Sequence, residues 1–213
     1  MNTESTAGAS STPLLTTLDS FFTAAINLIL YGRRVYPSDA FEKRRVFDVP
    51  VHICRHPELS EYVALSVRGA CELVARSEGQ SLVVLVHGPA ASAGEQRPVL
   101  ERFVFELRTT PGASADSPAL RAQLRSVLVK LNFCDSLLLP LPTGGLSFSI
   151  ELHADTAAGA EAISEELREQ WVECDTSEVG RSDGATAVPF KTASAPELTL
   201  QLFVMEAATK SVF

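Results

Sequence analysis

Residues 81–87 read Ser-Leu-Val-Val-Leu-Val-His, an unbroken apolar run of strand length. A strand that alternates has one wet face, whereas a run apolar at every position is that of a strand buried on both faces in the interior of a sheet. The chain must therefore supply strand neighbours on both sides and helices to cover them. Val99 to Leu107 places Phe103, Phe105 and Leu107 on one face and Arg102, Val104 and Glu106 on the other. The turn-rich GPAASAGEQRP between the two runs predicts a hairpin with a long loop. Leu146, Phe148, Ile150 and Leu152 alternate with Ser147, Ser149 and Glu151, and Leu198, Leu200, Leu202 and Val204 alternate near the end. Both patterns predict half-wet strands.

Three helical stripes supply the cover. Leu18, Phe21, Phe22, Ala25, Leu28 and Ile29 recur at helical spacing behind a start signal read at Thr16–Asp19. Pro57 suits the first turn of a second helix carrying Leu59, Tyr62, Val63, Ala70, Leu73 and Val74, which runs to about Arg76 and stops at Ser77-Glu78-Gly79. Ser117-Pro118 opens a third, with Leu120, Leu124, Val127, Leu128 and Leu131, closed off by Pro140 and Pro142. Between the first two helices, Phe41 to Val49 alternates loosely and predicts a short edge strand or extended arm. Residues 155–196 are acidic, rich in Ala, Ser, Thr and Gly, with one short helix expected around 160–170. Such a segment cannot build a core and reads as a strap anchored loosely ahead of the last strand. Residues 1–15 read as a disordered tail and 208–213 as a second one, leaving one α+β domain over residues 16–207.

Charge and cysteine usage narrow the function. Net charge is −8, with six Lys/Arg against five Asp/Glu in residues 1–56 and twelve against twenty-one thereafter. That balance opposes broad contact with DNA phosphates, so nucleic acid is expected only indirectly. The longest uncharged apolar stretch, Ser20 to Gly32, spans thirteen residues, short of the roughly 20 a membrane span requires. It predicts a buried helix and no membrane. Cys54, Cys71, Cys134 and Cys174 show no CxxC spacing, and the residues after Met1 lack the pattern of a signal peptide; a reducing compartment fits. His52, Cys54 and His56 share one face of an extended chain, but same-face neighbours about 7 Å apart suit a tetrahedral metal poorly. Cys134 follows a helix stripe as a buried cysteine would. The basic groups Arg33-Arg34 and Lys43-Arg44-Arg45, interleaved with Tyr36, Phe41 and Phe47, read either as phosphate contacts or as the solvated side of the arm. Trp171, the one tryptophan, is a loop anchor or a binding hot spot. No GxSxG, GxGxxG, Walker, HExxH or calcium-loop motif is present. A protein-gripping role without cofactor is expected.

Specific strings lie along this order of elements. They are Leu28-Ile29-Leu30-Tyr31, Val35-Tyr36-Pro37, Val49-Pro50-Val51, His56-Pro57-Glu58-Leu59 with Tyr62, Arg97-Pro98-Val99, Phe103-Val104-Phe105-Glu106, and Val188-Pro189 with Lys191-Thr192. Together they resemble the HORMA domain over about residues 18–207, and HPEL with FVFE looks like the branch of accessory subunits of translesion DNA polymerase zeta. The resemblance implies three main helices on a mostly antiparallel sheet with a C-terminal safety belt, residues 155–207, that clasps a proline-containing peptide. It implies a nuclear, non-catalytic adaptor, with the cytoplasm as a further location. Its partners would be the catalytic subunit of polymerase zeta, a scaffold polymerase of the deoxycytidyl transferase type, a second HORMA domain and an AAA+ remodelling ATPase. By the same resemblance Tyr62 and Trp171 hold the partner peptide, Lys191, Gln201 and Phe203 form a second partner surface, and Arg125 matches a dimer position, against a reading as a solvated helix arginine. Phe203 stands where Tyr is common, while Glu173, Ala187 and Arg34 depart from the family pattern. An adaptor in spindle-checkpoint or meiotic chromosome signalling is the alternative.

Overall fold

The computed structural model describes residues 12–76, 79–90, 92, 94–110, 112–113, 115–154, 165, 171–172, 184–208 and 210. Among the described residues, three long helices, α1 (Pro13–Gly32), α2 (Pro57–Arg76) and α3 (Pro118–Leu131), and a one-turn α4 (Cys134–Leu137) accompany seven strands. β1 (Phe41–Val46) and β2 (Val49–Cys54) pair as a separate hairpin. β3 (Gly79–His87), β4 (Val99–Thr109), β5 (Ser147–Ala154), β6 (Thr186–Ser194) and β7 (Leu198–Glu206) form one sheet in the order β5-β3-β4-β7-β6. Every pairing in it is antiparallel.

The inward parity of the strands makes the core. Leu82, Val84 and Val86 of β3 stand beside Phe103 and Phe105 of β4 and Leu200, Leu202 and Val204 of β7, all buried. Phe21 and Phe22 of α1 meet Phe105 edge to face at 6.3 and 5.9 Å, a geometry that adds about 0.5–1.5 kcal/mol per pair beyond area burial. α1 thus lies under the centre of the sheet, with α2 towards β5 and α3 towards β6. Outward parity is polar along β5, where the Ser149 hydroxyl and His87 Nε2 are 2.8 Å apart.

Four expectations change. α1 starts at Pro13, not Thr16: Thr12 is the cap, its Oγ1 accepting from the Leu15 N–H, while the Thr16 hydroxyl bonds back to the Thr12 carbonyl. Thr12-Pro13 is the same start signal as Ser117-Pro118, whose hydroxyl caps α3; residues 12–15 therefore belong to a helix rather than a tail. The arm from Phe41 is a two-stranded hairpin, turned at Phe47 and Asp48 with φ of 48° and 58°. Two successive positive φ values are those of a type I′ turn, which usually carries Asn or Gly, so this pair hid the reversal. The strap contains β6, an edge strand whose alternation is broken by Pro189 and by a bulge between Pro189 and Lys191. Proline is tolerated there because an edge strand leaves one side unpaired. The helix expected at 160–170 lies outside the described residues, apart from Glu165.

The remaining change is electrostatic. Glu101, on the inward parity of β4, is wholly buried and accepts from Arg33 Nε at 2.9 Å and Nη2 at 2.7 Å. Lys210, in the segment expected to be a tail, is 1% exposed and donates to Glu101 and, at 2.5 Å, to Glu206 of β7. Arg33 also reaches Asp135 of α4 and the Leu139 carbonyl, and the Leu139 N–H donates to Glu206. Two cations and two buried carboxylates thereby join the end of α1, the start of β4, the end of β7 and the chain beyond it.

Candidate partner-binding site

Among the described residues β5 pairs with β3 alone, so its other edge carries backbone groups without a strand partner. Such an edge is a template for an added strand unless something blocks it. Phe148, Ile150 and Leu152 point from β5 towards the helices, because their register partners Val86, Val84 and Leu82 face the core. Their backbone N–H and C=O groups then share the outer edge.

α2 lines that edge. Tyr62 is 41% exposed; its ring meets Phe148 edge to face at 5.5 Å, and its hydroxyl accepts from the Ile150 N–H at 3.2 Å. Burial raises the Tyr62 pKa, so the hydroxyl stays protonated. Tyr36, ahead of β1, meets the same Phe148 at 6.1 Å. Two turns along α2 from Tyr62, Gly69 faces Trp171 and Leu152: a Cβ added there would lie 3.3 Å from the indole and 3.1 Å from Leu152 Cδ1. Tyr62 and Trp171, 109 residues apart in the chain, are thus brought to one face of α2 beside β5. Sequence reasoning did not assign Tyr36, Phe148 or Gly69 to this site. The Tyr36-Pro37 string and the β5 alternation carried the first two; nothing in the sequence signalled Gly69.

The other expected positions lie elsewhere. Gln201 and Phe203 occupy the outward parity of β7, on the far side of the sheet, whereas Lys191, exposed beside the bulge of the adjoining edge strand β6, stands in register with the inward-facing Leu202. Arg125, on α3, is half exposed and 3.9 Å from Asp48 of the β1–β2 turn. Glu173 and Cys174 lie outside the described residues, and Ala187 pairs with Met205 on β6.

The residues weighed for chemistry have structural roles. His52 stacks on Tyr31 with ring centres 3.7 Å apart, the Cys54 N–H donates to Asn27, and Cys54 Sγ accepts from the His56 N–H. No cluster of three or more His, Cys, Asp or Glu suited to a metal occurs among the described residues. Burial pushes the Cys134 thiol up to about 11 and Cys71 up to about 12. Both remain thiols rather than nucleophilic thiolates near neutral pH. Their raised values contribute stability that is present below the ordinary thiol pKa of about 8.5 and lost as pH rises through the folded values. The basic string divides: Arg33 is buried, Arg34 exposed with φ of 54°, Arg44 paired with Glu42, and Arg45 bonded to the Asp48 carbonyl.

Known proteins are similar to this chain in sequence and in fold. Residues 15–140 match the HORMA domain. Mitotic spindle assembly checkpoint protein MAD2B of Danio rerio is 33% identical over 91% of this chain and 91% of its own length. The human protein of the same name is 33% identical over 91% and 90%. The DNA polymerase zeta processivity subunit of Arabidopsis thaliana is 31% identical over 88% and 83%. A chain of a mitotic checkpoint complex superposes with a TM-score of 0.73 at 19% identity, covering 92% of this chain and 99% of that one. The three-helix layer, the antiparallel sheet and these matches together mean that the chain belongs to the HORMA domain family.

Proposed function

We propose that this HORMA domain is the non-catalytic accessory subunit of DNA polymerase zeta, acting in the nucleus in translesion synthesis. It holds a proline-containing segment of the catalytic subunit along the free edge of β5. The observation that carries the reading is the edge itself, unpaired among the described residues and walled by Tyr36, Tyr62, Phe148 and Trp171. Main-chain pairing to β5 supplies affinity, and the aromatic walls supply selectivity. Relatives named as subunits of polymerase zeta occur in Arabidopsis thaliana and Drosophila melanogaster, which supports this branch. Lys191, Gln201 and Phe203 present a second surface, to a scaffold polymerase. Strands about 4.8 Å apart put β5 and β6, at opposite ends of a five-stranded sheet, about 19 Å from one another, so both surfaces can be occupied at once. No step of this role needs a cofactor or a catalytic residue.

The test is purification of the tagged chain from its own cells, with mass spectrometry of what accompanies it, repeated for Tyr62→Ala and Trp171→Ala. Recovery of the polymerase zeta catalytic subunit is expected. Loss of about 2 kcal/mol of binding, roughly thirtyfold in affinity, is expected for each variant. Recovery of checkpoint or meiotic partners alone would assign the domain to the other branch of its family. Unchanged affinity in both variants would remove the site from β5.

A further inference from the structure

Gly69 is the thirteenth of the twenty residues of α2. Glycine is disfavoured inside a helix because its backbone loses the most freedom on ordering. No positive φ requires it here, since among the described residues the glycines with positive φ are Gly94, Gly112, Gly144, Gly145 and Gly184. Space is the reason instead. The absent side chain would meet Leu152 Cδ1 at 3.1 Å on one side and Cζ2 and Nε1 of Trp171 at 3.3 Å on the other. These distances are tighter than ordinary contact, and a longer side chain would occupy the position of the indole.

We propose that Gly69 is a positioning residue for partner capture: its missing side chain opens a notch in α2 that seats Trp171 beside β5, on the helix face it shares with Tyr62. The role in capture rests on the reading of the β5 edge given above; the notch itself does not. Gly69 touches no partner. It acts through the indole, whose place on the helix decides how the aromatic wall meets an added segment.

Trp171 is the one tryptophan of the chain, so its fluorescence reports this contact alone. The experiment compares the full chain with Gly69→Ala and Gly69→Leu, reading acrylamide quenching of Trp171, melting, and dissociation of a labelled synthetic peptide. The peptide is a proline-containing segment of the polymerase zeta catalytic subunit. Quenching is expected to rise from wild type through Ala to Leu, with peptide dissociation about threefold and then at least about tenfold faster. A glycine that served only helix–strand packing would change melting and leave quenching alone. Unchanged quenching in folded Gly69→Leu overturns the notch. Should that variant not fold, Gly69→Ala decides, because alanine favours the helix and any rise in quenching then reflects the seat. Raised quenching with unchanged dissociation overturns the role in capture. Failure of wild type to bind the peptide removes the partner-binding reading, and the role in capture with it, while quenching still decides the seat.

Discussion

Tyr62 divides two tasks between its atoms. The ring packs on Phe148, and the hydroxyl satisfies the Ile150 N–H, a donor on the free edge of β5. Tyr62→Phe keeps the first and gives up the second. Because the position is partly open to water, the loss of stability is expected to be modest, about 0.5–1.5 kcal/mol. The Ile150 amide should exchange with deuterium faster, and partner affinity should stay within about threefold of wild type. A Tyr62→Phe chain as weak in capture as Tyr62→Ala would show that the hydroxyl, not the ring, makes the contact. Tyr62 was legible from its string, HPEL followed by Tyr. Its bond to a strand residue 88 positions on was not, because nothing local to either residue encodes it. Glu101 is legible in the strand pattern: extending the Phe103-Phe105-Leu107 parity back by one step puts a carboxylate on the core face, and such a group calls for a buried cation.

At the scale of elements, the helices and the strands with unbroken alternation were legible, since hydrophobic period alone defines them. β6 and the β1–β2 hairpin were not, because a bulge resets the parity in one and the turn of the other lacks the usual glycine or asparagine. The anchoring of β7 was hidden for another reason: its end is held by Glu206 and Lys210 against Glu101 and Arg33, four groups drawn from three segments distant in the chain. Removing one charge strands the others out of water. Lys210→Met or Glu101→Gln is expected to lower stability by about 3–5 kcal/mol in urea denaturation. The pair Glu206→Gln with Lys210→Met leaves Arg33 and Glu101 balanced, so its loss should fall well below the sum of the two single losses. Additive losses would show that Lys210 and Glu206 act independently.

For the whole molecule, the two surfaces proposed for partners lie on different parts of one sheet, the edge of β5 and the outer face of β7 with β6, and the acidic balance of the chain governs what else it meets. Of its basic groups near the hairpin, Arg33 is spent inside, Arg44 is paired with Glu42, and Arg55 is bonded to the Asp39 carbonyl. The isolated chain is therefore expected to bind duplex DNA weakly at physiological salt, with a Kd above about 10 µM by fluorescence anisotropy. Submicromolar binding at that salt would contradict the expectation and make the basic arm a nucleic-acid contact. The buried charges also bear on how the protein is made. Arg33 pairs with Glu101 and Asp135, whereas Glu206 takes its ion pair from Lys210. A ribosome delivers residues in order, at about 5–20 per second. The Glu206 carboxylate at the end of β7 can therefore be paired with Lys210 only after position 210 has been translated, and a chain stalled before it carries that charge without this partner.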